Sequence, residues 1–214
     1  PGNWGLEETS PSDIDAIGRV NRAVVWVDDG DDKIGYILRG VDSGFTEHGG
    51  IPLESWDRAL GDTQEEAWDS LNSNGNVVFV DSSFALVDPN TGESIAGMTL
   101  PIGKSISLID ISNPGNNRNV TVGGILSESS QLFSQGIWMN GEIVDEQYGG
   151  VVTRIYVSHN GNTDSTELEE TLSNDLASEG VYTSVIEEEI LLILGLIYAI
   201  LSIFQAYLAL GLIV

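Results

Sequence analysis

Cysteine is absent from the 214 residues. That excludes disulfides and thiolate metal sites, and leaves the redox compartment unreadable from cysteine usage. Positive charge is scarce as well: 8 Lys and Arg stand against 33 Asp and Glu, a net charge of −25. The lysines are Lys33 and Lys104; the arginines are Arg19, Arg22, Arg39, Arg58, Arg118 and Arg154. They form no run in the sequence, so nucleic acid is not an expected partner, because phosphate binding needs grouped cations. Catalytic signatures are missing too. There is no Walker lysine motif, no GxSxG and no HExxH. His48 and His159 both fall in Gly-containing loops, where a lone His is ordinarily just solvated. No catalytic, cofactor-binding or metal-ligating residue set is expected, and an enzyme is the weaker class.

What is present is acid and apolar residues together. The 41% apolar fraction is ordinary, so a packed core is expected rather than disorder. A surface this negative repels itself in dilute salt. At 1 M salt the Debye length shrinks to about 3 Å and most of that repulsion disappears. Few lysines, many acids and no cysteine suit a halophilic archaeal protein; the alternative is an acidic mesophilic surface.

The acidic DDGDD run at 28–32 suggests calcium, but the EF-hand count fails. The twelfth position from Asp28 is Arg39 where Glu is required. A solvated turn is the better reading, as it is for Asp88-Pro-Asn-Thr-Gly92.

The last 25 residues, Ile190 to Val214, read ILLILGLIYAILSIFQAYLALGLIV and contain no charge. A bilayer core takes roughly 20 apolar residues in a helix. A helix satisfies its own backbone polar groups, as lipid demands. Glu187, Glu188 and Glu189 immediately before the run mark the water boundary. The expected division is therefore an extracytoplasmic core domain over 1–185 and a transmembrane helix over 186–214. Gln205, Gly195 and Gly211 read as helix-packing positions. A start at Pro1 and a stop inside an apolar run lead us to expect a fragment, with sequence missing on both sides.

Elements can be placed along the soluble part. Residues 12–23 carry Ile14, Ile17 and Val20 or Asn21 at helical spacing behind Ser12, and predict a helix. AVVWV (23–27) and KIGYILR (33–39) flank the acidic turn as a hairpin. Residues 40–61 look irregular. Thr63-Gln-Glu-Glu66 is a capping box opening a helix to about Leu71, ended by Asn74-Gly75; Glu65 and Glu66 then read as surface features. NVVFVD (76–81) is an apolar strand. Residues 98–126 read as all-β, with turns at Pro101-Ile-Gly103 and at 113–117. Within them the apolar phase slips between Leu108 and Ile109, which marks a bulge or a strand buried on both faces. Asn119-Val-Thr121 is a glycosylation sequon. Residues 151–158 alternate as a strand. Asp164-Ser-Thr-Glu167 caps a helix whose Leu168, Leu172 and Leu176 share a face, and Gly180 closes it. This is an α+β pattern.

Several of these stretches, in this order, resemble the FtsX/MacB-type ABC transporter permeases. FQAYLALGLIV (204–214) is similar to the start of that family's membrane domain. VVTRIYVSHNGNTDSTELEETLSNDLASEGVYT (151–183) is similar to its last extracytoplasmic strand and helix. GNVVFVDSSFA (75–85), LPIGKSISLIDI (100–111) and NVTVGGIL (119–126) resemble its core-domain block, and YILRGVDSGFTEHGGIPL (36–53) the strand and loop before it. The resemblance implies a MacB-like core domain: an α/β lobe from both chain ends with a β-rich middle. It places that domain outside the cell membrane, between the first and second transmembrane helices. It also implies an ABC ATPase partner, a second permease subunit forming a dimer, contact with membrane lipid, and mechanical work on a cargo that the sequence does not name. It transfers no catalytic residues and no cofactor. The first span would precede Pro1 and two would follow Val214. Two rivals compete with it. One is a surface interaction protein with a single C-terminal anchor, predicting an upstream signal peptide and a short basic tail. The other is a membrane-tethered hydrolase.

The charge reading is testable by thermal melting in dilute and in molar salt. Self-repulsion predicts a higher Tm in molar salt, and a higher Tm in dilute salt would reject the halophile reading.

Overall fold

In the computed structural model, residues 14–47, 50–90, 94–130, 134–161 and 164–211 are described. They fall into two compact units. One is Ala16–Ser158; the other joins Pro1–Asp15 to His159–Val214.

Alternation dictates the first unit. In β1 (Ile14–Asp28), Ala23, Val25 and Val27 are buried while Arg22, Val24 and Trp26 are exposed, the two-residue period of a strand with one covered face. Asp28-Asp-Gly-Asp-Asp32 turns the chain, and β2 (Lys33–Val41) returns antiparallel from Asp28↔Lys33 to Val20↔Val41. The acids of the turn serve the turn itself. Asp28 Oδ1 accepts the Gly30 N–H at 2.9 Å, and Asp29 Oδ1 accepts those of Asp31 and Asp32. Hydrogen bonding from the Asp32 N–H, helped by Lys104 at 3.1 Å, holds the Asp29 carboxyl below its ordinary range.

The other strands are β3 (Leu53–Trp56), β4 (Val77–Val80), β5 (Ser105–Asp110), β6 (Asn117–Leu126), β7 (Ile137–Asn140) and β8 (Val151–His159). β2 pairs β7 in parallel, and β7 pairs β4 antiparallel. β4 pairs β6 in parallel, β6 pairs β5 antiparallel, and β5 returns antiparallel to β1. Because β1 also pairs β2, these six strands close into a ring and none of the six is left as a sheet edge. β3 adds to β6, and β8 adds to β1. The strands nearest the two chain ends are thus neighbours.

Ring closure sorts the core into two. Inward residues Val25, Val27, Leu38, Val80, Ile106, Leu108, Val120, Val122, Ile137 and Met139 form one cluster. Helix α3 (Gly141–Tyr148) contributes Val144 and Tyr148 to it, and the segment after β4 contributes Phe84, Met98 and Leu100. Helix α3 comes close to β2 because both sides are glycine: a Cβ on Gly40 would sit 2.7 Å from the Gly141 Cα. Outward residues Val77, Phe79 and Trp138 meet helices α1 (Ser43–Thr46) and α2 (Gln64–Ser73) in the second cluster. There Phe45 stacks on Trp138 at 5.7 Å between centroids, and Trp68 meets Phe79 edge-on at 5.0 Å. The Trp68 indole N–H donates to the Ile51 carbonyl at 3.0 Å. The capping box expected at Thr63 is formed with Glu66.

Three expectations need correction. Residues 14–23 are strand, not helix; Ser12 lies outside the described residues. The i, i+3 spacing was real, but Ile, Val and an internal Gly18 are poor helix formers, and the hairpin partner decides. Gly18 also lies where a Cβ would come 2.5 Å from the Phe45 Cα. Residues 40–61 are less irregular than expected. β2 runs on to Val41, Asp42 caps α1 by accepting from Phe45 N–H, and β3 and a 3-10 turn at Arg58–Leu60 follow. No bulge interrupts β5: both its ladders keep register, Ile109 faces outward half-covered, and Ile111 lies beyond the strand. Strand β7 and helix α3 lie between residues 134 and 150, where the sequence predicts no element.

The second unit contains α4 (Ser165–Leu176) and α5 (Ile186–Gly211). Asp164 caps α4 by accepting from the Thr166 N–H, and Leu168, Leu172 and Leu176 are its buried face. Gly180 follows in the left-handed region, φ 73°.

Leu108 is fully buried in the ring. Leu108→Ala leaves a cavity there and should cost about 2–5 kcal/mol in chemical denaturation; a loss under 1 kcal/mol would mean the ring interior is not close-packed.

Candidate functional site

The concentration of buried polar groups in the first unit is at the end of β4. Four apolar residues run into Asp81-Ser82-Ser83, and an Asp at that position can fold back onto the next N–H groups. Asp81 Oδ1 accepts from Ser83 N–H at 2.9 Å and also from the Ser83 hydroxyl, capping a 3-10 turn at Ser82–Phe84. Its Oδ2 accepts from the Tyr36 hydroxyl at 2.8 Å and from Gly136 N–H at 2.6 Å. The side chain is fully buried. One carboxyl thus ties β4 to β2, to the entry of β7 and to the segment that covers this end of the ring. Ser83 extends the tie, its carbonyl accepting from the Ser94 hydroxyl at 2.9 Å and Ala96 N–H at 3.1 Å. Burial pushes the Tyr36 phenol up to about 12, and the neighbouring Asp81 adds to the rise.

Chemically this is a rivet. Four donors converge on two carboxyl oxygens and leave no lone pair aimed into a cleft. In the sequence Asp81 stands as a strand end; Asp-Ser-Ser after an apolar run signals a capped turn, and nothing local signals its distant donors, Tyr36 and Gly136.

His159 is occupied locally. Its Nδ1 accepts from Gly161 N–H at 3.1 Å, so a neutral ring carries its proton on Nε2 and points it at Ser165 Oγ, 2.9 Å away. That polarity is the reverse of a base activating a serine. His48 lies outside the described residues. Among the described residues no group of three His, Cys, Asp or Glu could hold a metal ion.

Among the described residues, the second unit carries one helix long and apolar enough to cross a membrane, Ile186–Leu208. At about 1.5 Å per residue its 23 residues span about 35 Å. No part of its apolar window is buried, which is not how a core helix of a soluble protein sits. Glu187, Glu188 and Glu189 occupy its first turn, where the helix dipole favours negative charge, and Glu189 also accepts from the Ser184 hydroxyl at 2.6 Å. Ser202, polar within the run, donates to the Tyr198 carbonyl at 2.8 Å, so its hydroxyl needs no water.

No protein-family model matches the sequence, and no curated protein matches it. Solved structures do. The extracellular domain of the noncanonical ABC-type transporter YknZ from Gram-positive bacteria is similar at TM-score 0.52 and 12% identity, over 85% of each chain. The periplasmic region of MacB from Actinobacillus actinomycetemcomitans is similar at TM-score 0.53 and 18% identity, over 84% of this chain and 74% of that one. The chain has the fold of these domains. At such identities the likeness is one of fold. It bears out the expected MacB-like α+β architecture.

Asp81→Asn replaces an acceptor by an amide facing donors. It should cost about 1–3 kcal/mol per stranded group in urea denaturation; an unchanged midpoint would remove Asp81 from its structural role. A second readout is alkaline. The folded phenol of Tyr36, near 12, lies above its ordinary 10.0. Its contribution is therefore complete below about pH 10 and lost as pH rises towards 12. Tyr36→Phe should flatten that alkaline limb, in the proportion that Tyr148, also pushed up to about 12 by burial, leaves to it.

Proposed function

We propose that the chain is the extracytoplasmic domain and following transmembrane helix of an FtsX/MacB-type ABC transporter permease. The observation that carries this is continuity: a domain with the fold of extracytoplasmic permease domains is followed, past three consecutive glutamates, by an uncovered membrane-length apolar helix. Neither half alone is as specific. Three carboxylates set a sharp limit to the apolar segment, because charge enters hydrocarbon only at high cost.

On this reading the chain does mechanical work and no chemistry of its own. A partner ATPase closes on nucleotide, a second permease subunit completes a dimer, and motion passes along the spanning helices to the outer domain. The closed ring suits that task, since a sheet without edges among its six strands moves as one body. The saturated Asp81 rivet and the locally bound His159 support a domain without a catalytic centre. The acid excess supports a halophilic setting.

The complete reading frame tests the proposal. It should encode two further apolar spans downstream, with an ATPase gene alongside, and affinity purification from native membranes should recover that ATPase. A short basic tail after residue 214, with no ATPase recovered, would reject the permease and match a single-span surface protein instead.

A further inference from the structure

The outward side of the β1–β2 hairpin is the candidate, and it stands independently of the permease reading. Helices α1 and α2 cover the outward faces of β4 and β7, but Trp26 and Val24 on β1 remain 37% and 49% exposed. Ile37, the Cα partner of Val24, is only half-buried. The Trp26 ring lies across Gly35, its own Cα partner, 3.4 Å from where a Cβ would sit. Lys33 Nζ sits 5.6 Å from the Trp26 centroid.

Charge singles this face out. Arg22 and Arg39 are direct cross-strand partners, an arrangement that destabilises a hairpin. In a chain with 33 acids and 8 cations, an acid opposite Arg22 would be the expected choice. Arg39 is held in place: its Nε donates to the Gln135 carbonyl at 2.7 Å and its guanidinium lies 5.4 Å from the Trp138 centroid. Burial lowers its pKa first, and the charges of Arg154 and Arg22 lower it further.

We propose that this hairpin face docks an acidic peptide segment of a partner protein, its carboxylates on Arg22 and Arg39 and an apolar side chain on Trp26. From Arg22 to Trp26 is about 13 Å along the strand, the length of roughly four extended residues. Charge complementarity selects a narrow occupant. A flat anionic membrane laid on this face would also meet Asp28, Asp29, Asp31 and Asp32 at the hairpin tip, whereas a peptide lying between Arg22 and Trp26 avoids them.

The test uses the 214-residue chain in nonionic detergent and a fluorescent peptide of alternating Glu and Leu, read by anisotropy across a salt series. The peptide should bind, and its uncharged Gln–Leu counterpart should not. Arg22→Glu should weaken binding about tenfold or more while holding or raising Tm, since it replaces a like-charge pair by an opposite one. A purely structural Arg22 would not separate those two readouts. Trp26→Ser should weaken binding with no change of charge. Equal binding by Arg22→Glu overturns the proposal. So does displacement of the peptide by phosphatidylglycerol added to the micelles, or salt-sensitive self-association lost in Arg22→Glu without any peptide binding.

Discussion

Water is a poor solvent for the last helix, and the rest of the account depends on that. Ile186–Leu208 presents Leu, Ile, Phe and Tyr around its whole circumference with none of its apolar window buried. Apolar surface is disfavoured in water by roughly 25 cal/mol per Å², so an uncovered helix of this length demands another medium or another protein. Lipid supplies the first. The helix is built for it: its backbone hydrogen bonds are internal, its one serine is turned back onto the Tyr198 carbonyl, and its three glutamates are confined to the first turn.

The first unit solves the opposite problem. It must be stable in water while carrying a large excess of like charge. Closing six strands into a ring removes the exposed edges that an open sheet of this size would offer to other chains. The ring leaves two ends to be covered. Helix α3 provides two buried side chains at the cost of a close approach that only Gly40 and Gly141 allow. The segment after β4 covers with Phe84, Met98 and Leu100, and Asp81 holds that segment down. The buried carboxyl and the apolar contacts belong to the same device: without the hydrogen bonds to Tyr36 and Gly136 the segment's direction is unspecified, and without the apolar side chains there is nothing to bury.

Local signals were legible in the sequence and long-range ones were not. The Thr63–Glu66 capping box, the DDGDD hairpin, the buried leucines of α4 and the apolar span are all written in adjacent residues and were read from them. The α+β architecture followed from their order. Ile14–Ala23 was misread because its apolar spacing suits a helix as well as a strand, and only pairing with residues 33–41 distinguishes the two. Ring closure was invisible for the same reason: it depends on β1 meeting both β2 and β5, and no local pattern encodes which strands meet. Asp81 was seen as the end of a strand because half its donors, Tyr36 and Gly136, lie 45 and 55 residues away. The Arg22–Arg39 juxtaposition likewise appears only once the register is fixed.

The absence of cysteine makes the central claim directly measurable. A single cysteine at Leu201, midway along the apolar helix, accepts one nitroxide label and no other residue competes. With the chain reconstituted in lipid bilayers, power-saturation electron paramagnetic resonance reports the label's exposure to oxygen, which partitions into hydrocarbon, and to a water-soluble nickel chelate. The account predicts high oxygen and low nickel accessibility at position 201, reversing at position 184 ahead of the glutamates. A label at 201 that meets the nickel chelate freely, on a chain that stays monodisperse in buffer without detergent, would contradict it.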